Sequence, residues 1–294
     1  MMNRTVHLVI CSALGLAFAS TGRAFAQDTP AEGTPPAGGE ATTPAPAGPS
    51  AAASAPISAT EATLHQGGIS VDGDVVINLS KDAVGKPIQL VPNLYYGVSS
   101  ELTVGFAHNP GAEIFQAVAA PGGSGLCLSG TSGNCAHLYN GFSLDALFSF
   151  LRSSTMDLAG HGGVDFLSLS DPFKLSLRLG VKGKMMAGPV MLVFDPSLNI
   201  GLNNRTQNKE VLQVPLRVGY MVMPQLNVGL SVGIAGQLDG FGDNYAFPIG
   251  IGATYMINNS VDVRGQFALN DLAGHLSSGA ADIRTLSVGA AYHM

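Results

Sequence analysis

Apolar and polar residues alternate along most of the chain after residue 69, and the alternation has a period of two. In the segment 226–234 (LNVGLSVGI) the large apolar residues occupy every second position. The segment 245–257 repeats this pattern, with aromatic and aliphatic residues on one face. Successive side chains of a strand point to opposite faces of a sheet, so the pattern predicts strands with one apolar and one polar face.

Counting these runs predicts an all-β chain with about 12 strands. The predicted strands are 69–80, 88–98, 100–108, 140–151, 157–168, 173–185, 190–203, 209–222, 225–238, 244–257, 260–272 and 281–294. Strands of this length suit a tilted crossing of a bilayer, and an even number places both ends on one side. The predicted fold is therefore a transmembrane antiparallel up-and-down β-barrel.

The connections between the predicted strands alternate in length. Every second connection is tight: Ser99-Ser100, Ser153-Ser154, Ala187-Gly188, Pro224-Gln225 and Asn258-Asn259. The other connections vary more, and the one over 109–139 is the longest. Membrane barrels have short periplasmic turns and longer outer loops, so we expect 109–139 outside the cell.

Aromatic residues mark both ends of the strands on the apolar face. One row lies near the last residues of the strands that run towards the tight turns: Tyr96, Phe150, Tyr220, Tyr255 and Tyr292. A second row lies at the first residues of such strands, at the other edge: Phe142, Phe173 and Tyr245. A soluble β-sandwich also alternates along its strands, but it has no reason to place aromatic residues at both strand ends. The rows therefore favour the aromatic girdles of a membrane barrel.

Composition narrows the function classes. The chain has 294 residues, a net charge of −6, no tryptophan and 38 glycines. The acidic balance argues against nucleic acid as a partner. After residue 27 no stretch has the run of about 20 apolar residues that a transmembrane helix needs.

The N-terminal part predicts export. An apolar run over 8–19 precedes Ala24-Phe25-Ala26, which is a cleavage site, so 1–26 is expected to be a signal peptide. The alternative, a membrane anchor, needs a longer apolar run. Residues 27–66 are rich in alanine and proline and are expected to form a disordered periplasmic linker, followed by the barrel over 67–294.

Two cysteines follow the predicted cleavage site. Cys127 and Cys135 both lie in the long connection 109–139. An even pair of cysteines in an exported chain favours a disulfide, which would pin this loop.

The last predicted strand ends with Leu286, Val288, Ala290, Tyr292 and Met294 on one face. It resembles the closing strand of porin-like Gram-negative outer-membrane β-barrel proteins. In that family the last residue is usually phenylalanine and an aromatic residue stands two before it, so Tyr292 fits and Met294 departs. The resemblance covers 69–294 and implies a place in the bacterial outer membrane. It also implies outer-membrane lipid, lipopolysaccharide and the barrel-assembly machinery as partners.

Catalytic and metal-binding patterns are weak. Gly229-Leu230-Ser231-Val232-Gly233 matches the Gly-x-Ser-x-Gly nucleophile motif, but it falls inside a predicted strand and not at a strand-to-helix turn. No histidine pair has the spacing of a metal site. We therefore expect no enzyme activity, no cofactor and no metal.

Charged residues are clustered on the polar face of neighbouring predicted strands. They are Asp157, His161, Asp165, Lys174, Arg178 and Lys182, with Asp195 within reach on the next strand. If a two-residue loop at Leu169-Ser170 joins the two strands, opposite charges face one another. The predicted pairs are Asp165–Lys174, His161–Arg178 and Asp157–Lys182, with Phe166 opposite Phe173 on the apolar face.

This charge ladder has two interpretations. The charges either neutralise one another in a polar interior, or they form a pore constriction. Further inward charges make the field transverse and not uniformly positive: Asp72, Asp74, Asp145, Arg217 and Arg264. The leading hypothesis is a narrow porin-like channel for passive movement of ions or small solutes. The alternative is a structural or surface-interaction barrel that acts through the loop 109–139.

Overall fold

The computed structural model describes residues 61–80, 88–110, 114–115, 125–129, 139, 141–169, 172–274, 279 and 281–294. The predicted signal peptide and linker residues 27–60 lie outside these ranges. In the described part, no helix is long and apolar enough to cross a membrane. The strands are β1 (Ile69–Asn78), β2 (Ile88–Gly97), β3 (Leu102–Ala107), β4 (Leu126–Ser129), β5 (Phe142–Arg152), β6 (Met156–Ser168), β7 (Lys174–Ala187), β8 (Val190–Phe194), β9 (Ser197–Gly201), β10 (Val211–Met223), β11 (Leu226–Gln237), β12 (Tyr245–Ala246), β13 (Ile249–Asn258), β14 (Val261–Leu269) and β15 (Arg284–His293).

The strands form one closed antiparallel wall. Apart from the short strand β4, strands that follow one another along the chain pair in order around the wall, and β1 also pairs with β15, which closes the barrel. β8 and β9 lie one after the other along β10, and β12 and β13 lie one after the other along β11. Each of these two sets therefore counts as one strand of the wall. The wall therefore has 12 strands, and the predicted up-and-down barrel is confirmed.

The strand bounds differ from the prediction in two respects. The predicted strands 190–203 and 244–257 are each interrupted, at Pro196 and at Pro248, because proline has no N–H group for the ladder. In addition, β4 is a short strand within the long connection, and it pairs with the segment 88–90 of β2. It extends the wall beyond the end of the short strand β3.

The two faces of the wall differ as the alternation predicts. On the outside, Ile251 of β13 is 60% exposed, and Leu230 and Val288 are exposed as well. On the inside, Ser231 of β11 is 0% exposed, and Gln266 of β14 is buried. The exterior is thus apolar and the interior polar, which is the reverse of a soluble protein.

Both ends of the barrel sequence lie at the end of the tight turns. The backbone N–H of Ile69 donates to the carbonyl of Met294 at 2.9 Å, and the N–H of Met294 donates to the carbonyl of Ile69 at 2.8 Å. All five predicted tight connections are short turns between paired strands. We call this end of the barrel the turn end and the other the loop end.

The predicted register of β6 and β7 is wrong by two residues. Asp157 faces Lys184 and not Lys182, and Asp165 faces Ser176 and not Lys174. Five residues separate Ser168 from Lys174, of which 170 and 171 lie outside the described ranges. A two-residue shift leaves every side chain on its predicted face, so the inward charges stay inward.

Two further predicted pairs change with this register. His161 faces Gly180 and not Arg178, and Phe166 faces Leu175 and not Phe173. Phe173 still contacts Phe166, with ring centroids 6.3 Å apart.

The apolar exterior predicts a strong effect of an outward charge. Ile251→Lys in protein refolded into lipid vesicles is expected to cost about 2–4 kcal/mol, because lysine then faces hydrocarbon. Leu202→Lys is the matched control, since Leu202 is 52% exposed but lies in the connection after β9. Urea titration followed by the gel mobility of unheated samples measures both; equal costs for the two variants would contradict an apolar environment at Ile251.

Candidate functional site in the barrel lumen

Five inward side chains from β5 to the β8–β9 junction form a first charged network. The carboxylate of Asp145 on β5 accepts hydrogen bonds from His161 Nε2 at 2.9 Å and from Arg178 Nη2 at 2.8 Å. Arg178 also lies 3.1 Å from Asp165, and His161 Nδ1 lies 2.7 Å from Asp195. All five side chains are buried. A buried carboxylate needs partners of this kind, because an unpaired charge away from water is costly.

His161 has an aspartate oxygen within hydrogen-bond distance of each ring nitrogen. A carboxylate only accepts, so both bonds can form only when both ring nitrogens carry a proton. The geometry therefore corresponds to the imidazolium form, which places a positive charge between Asp145 and Asp195.

The contact between Asp145 and Arg178 is sterically possible because a glycine lies between them. Gly163 of β6 lies opposite both residues, since it faces Asp145 on one side and Arg178 on the other. A Cβ atom at Gly163 would lie 2.7 Å from Arg178 Nη2 and 3.0 Å from Asp145 Oδ1. The missing side chain lets an arginine on β7 reach across β6 to a carboxylate on β5.

A second charged network lies where the first strand, β1, meets the last strand, β15, which we call the seam. It too joins an arginine to a carboxylate across a glycine. Arg264 of β14 donates from Nε to Asp74 at 2.9 Å and from Nη2 to Asp72 at 2.6 Å. Asn93 of β2 also donates to Asp72, at 2.8 Å. Gly289 of β15 lies between Arg264 and Asp74 in the register, and a Cβ there would lie 1.9 Å from Asp74 Oδ1.

The two networks lie on opposite sides of the barrel. The first occupies β5 to β9 and the second β14, β15, β1 and β2, and these groups are separated on both sides in the strand order. Between them, β11 and β13 present mainly small residues inward, such as Gly229, Ser231 and Gly250. The buried Arg217 of β10 lies over Gly229 and donates to Asn227 at 3.4 Å. The lumen thus has two charged walls and, between them, a wall of mostly small side chains that holds one arginine.

Part of the long connection lies inside the barrel, contrary to the prediction that 109–139 is an outer loop. Ile114 and Phe115 are buried in an apolar cluster with Val193 of β8 and Ala268 of β14. The carbonyl of Ile114 accepts hydrogen bonds from Ser231 Oγ at 2.6 Å and from Gln266 Nε2 at 2.9 Å. These partners lie on β8, β11 and β14, so this part of the connection lies against the inner wall from β8 to β14.

The chain just before β1 also lies inside the barrel. Ala62 and Thr63 are buried, and the N–H of Ala62 donates to Asp157 Oδ2 at 2.8 Å. The N–H of Leu64 donates to Thr103 Oγ1 at 2.7 Å. Residues 62–64, near the end of the predicted linker, are therefore bound to the inner wall at the turn end.

The remaining members of the predicted ladder have other neighbours. Asp157 binds Arg152 at 3.1 Å and accepts a hydrogen bond from Ser149. Lys182 is buried on β7 opposite Ala159, and Lys174 lies at the start of β7 opposite Ser168. The structure thus brings together Asp145, which the predicted ladder omitted, with His161, Asp165, Arg178 and Asp195.

The predicted girdle and assembly residues lie on the exterior. Their side chains are exposed at the turn end: Tyr96, Phe150, Tyr220, Tyr255, Tyr292 and Met294. At the loop end Phe142 stacks on Phe106 and on Phe166, with ring centroids 4.8 and 4.5 Å apart. Their role in lipid contact and assembly stays a prediction.

The predicted disulfide also stays a prediction. Cys127 is buried in β4, whereas Cys135 lies outside the described residues.

A hydrogen-bonded chain at the seam was not predicted. His293 of β15 lies 3.1 Å from Ser70 Oγ of β1 and 2.8 Å from Asp262 of β14. The sequence indicates only that His293 faces inward; its two partners follow from which strands meet when the barrel closes. The chain links the first strand to the last two.

Comparison with known proteins places the fold. No protein-family model and no curated protein matches the chain. The NanC porin structure is similar with a TM-score of 0.52 and 7% identity, covering 76% of this chain and 98% of the porin. An outer membrane channel from Pseudomonas putida F1 has a TM-score of 0.52 and 11% identity, over 79% of this chain and 97% of the channel.

A third solved structure agrees with these two. The KdgM porin in complex with disordered oligogalacturonate has a TM-score of 0.50 and 8% identity, over 76% of this chain and 98% of the porin. The chain therefore has the fold of porin-like outer-membrane β-barrels.

The seam network predicts that Gly289 cannot be enlarged. Gly289→Ala is expected to cost about 3 kcal/mol, because the new methyl group separates Asp74 from Arg264 and leaves buried charges unpaired. Gly73→Ala is the matched control, since a Cβ at Gly73 meets no atom within 4 Å. Urea unfolding in vesicles measures both variants, and a loss shared equally by the control would contradict the crossing contact.

The position of His161 predicts coupling to Asp195. His161→Gln leaves the buried Asp195 carboxylate without its donor, while Asp195→Asn removes the charge that needs one. The double variant is expected to be more stable than the two single costs imply, by about 1–3 kcal/mol. A control cycle of His161→Gln with Asp262→Asn, across the barrel, is expected to be additive; an additive result for the Asp195 cycle would refute the pairing.

Proposed function

We propose that this chain is a bacterial outer-membrane barrel that acts as a narrow porin-like channel for ions or small polar solutes, and not as an enzyme. One observation carries the proposal: a single closed wall is apolar outside and charged inside. Such a wall lines a path through an apolar medium with polar side chains.

Several features support the outer membrane as the location. The exposed apolar exterior needs hydrocarbon around it, and exposed tyrosines at the turn end suit the interface with lipid headgroups. Tyr292 lies at the end of β15, which closes the barrel, and Met294 follows that strand, where the assembly machinery would recognise it. Lipid and lipopolysaccharide are then the partners of the exterior, and solutes those of the interior.

The lumen favours polar over apolar solutes. The first network carries both signs, while the second has two carboxylates for one guanidinium. Because the networks lie on opposite walls, a solute passing between them meets charge on both sides. We infer that it would exchange hydration for contacts with these walls, which an apolar molecule cannot do.

Ile114 and Phe115 narrow this path. They lie against Ser231 of β11 and Gln266 of β14, and they pack with Val193 of β8. We infer that these two buried residues reduce the open cross-section of the lumen at this level.

This arrangement predicts how conductance responds to mutation. Wild-type protein in planar bilayers is expected to give discrete, small conductance steps, and Phe115→Ala is expected to raise the unitary conductance because it removes a ring from the lumen. Phe241→Ala is the matched control, because Phe241 packs on Tyr245 in the connection after β11.

One result would count against the channel, and another would count against the constriction at Phe115. Absence of steps from wild type and from Phe115→Ala, in protein that shows the gel shift of a folded barrel, would refute it and favour the surface-interaction alternative. Equal conductance of Phe115→Ala and wild type would refute the constriction.

A further inference from the structure

The segment 61–66, which we call the latch, turns into the lumen at a glycine. Gly67 has φ of +78°, a conformation that favours glycine. The N–H of Gly67 donates to the carbonyl of Gly97 at 2.8 Å, and the N–H of Gly97 donates to the carbonyl of Gly68 at 2.9 Å. A Cβ at Gly97 would lie 2.0 Å from the carbonyl oxygen of His65. Both glycines are thus needed to direct the chain inward.

The latch contacts three neighbouring strands near their turn-end residues. Thr63 Oγ1 donates to the carbonyl of Ser100 at 3.2 Å and accepts a hydrogen bond from Arg152. Ala62 packs against Leu147 and Ala159. Together with the bonds to Thr103 and Asp157, these contacts carry the latch along the inner wall from β3 to β6.

The wall beneath the latch does not depend on it. Asp157 keeps Ser149 and Arg152 as donors when the N–H of Ala62 leaves, so no buried carboxylate is abandoned. Thr103, Ser100 and the backbone of the latch are neutral groups that water can satisfy. Withdrawal breaks these neutral hydrogen bonds, a small apolar contact and two charge-assisted hydrogen bonds, from the N–H of Ala62 to Asp157 and from Arg152 to Thr63. Arg152 and Asp157 stay paired with each other, so no buried charge is left alone, which suits a reversible element.

We propose that the latch closes the turn-end mouth of the channel, and that conduction requires its withdrawal from the wall between β3 and β6. The proposal rests on the channel function. It assigns Thr103 and Asp157 as the residues that hold the latch in place, through the N–H groups of Leu64 and Ala62.

Thr103 offers a matched pair of variants. Thr103→Val removes the oxygen that accepts from Leu64 and keeps the side-chain shape, whereas Thr103→Ser keeps the oxygen. In planar bilayers Thr103→Val is expected to raise the ratio of open to closed time by about tenfold, the effect of losing one buried hydrogen bond. Thr103→Ser is expected to resemble wild type, and deletion of 61–66 is expected to remove closures of this class altogether.

Different outcomes of this experiment would overturn the gating role of the latch and the channel function. Equal open fractions for wild type, Thr103→Val and the deletion would overturn the latch and leave the channel standing. Absence of conductance from all of them, in folded barrels, would overturn the channel and with it the gating role.

A chemical measurement tests the docking without conductance. Thr63→Cys, in a background with Cys127→Ser and Cys135→Ser, is expected to react slowly with a water-soluble maleimide, because Thr63 is 3% exposed. Adding Thr103→Val is expected to speed this labelling several-fold, and adding Thr103→Ser is not. Equal rates in the two backgrounds would show that Thr103 does not hold the latch.

Discussion

The backbone ladder between β1 and β15 is the contact on which the rest of the structure depends. It runs from Ser70 opposite His293 to Asn78 opposite Thr285 and leaves the sheet without an edge. In an apolar medium every backbone N–H and C=O group needs a partner within the protein, so a sheet with this exterior is stable there only when it closes. Closure also fixes the inside: strands far apart in sequence become neighbours, and Arg264 then meets Asp74, and His293 meets Ser70.

The polar interior is held by ion pairs that cross a strand at a glycine. Gly163 and Gly289 occupy equivalent places, each between a carboxylate on one side and an arginine on the other. Buried charges are stable only when paired, and pairs across one strand need the intervening side chain to be absent. The glycines of this chain therefore do more than leave the lumen open: at these two positions they let neighbouring walls be tied together.

The sequence predicts the wall well and its contents poorly. Period-two alternation specifies strands, faces and tight turns directly, and these agree with the structure. It does not show the interruptions at Pro196 and Pro248, because the alternation continues on both sides of each proline. The register of β6 and β7 could not be fixed in this way, because Lys182 and Lys184 both face inward and either can oppose Asp157. Ile114, Phe115 and the latch carry no periodic pattern, and their partners, such as Ser231 and Thr103, are distant in sequence. Such contacts depend on the space that the closed wall leaves, which no local pattern encodes.

The claim that one wall separates hydrocarbon from a polar lumen is tested most directly by quenching from the lipid phase. A fluorescent label at single cysteines along β11, in a background without Cys127 and Cys135, would be examined in vesicles whose acyl chains carry bromine. The account predicts strong quenching at Val228, Leu230 and Val232 and little at Asn227, Ser231 and Gly233. Quenching without this alternation, or none at any position, would contradict a membrane-spanning barrel.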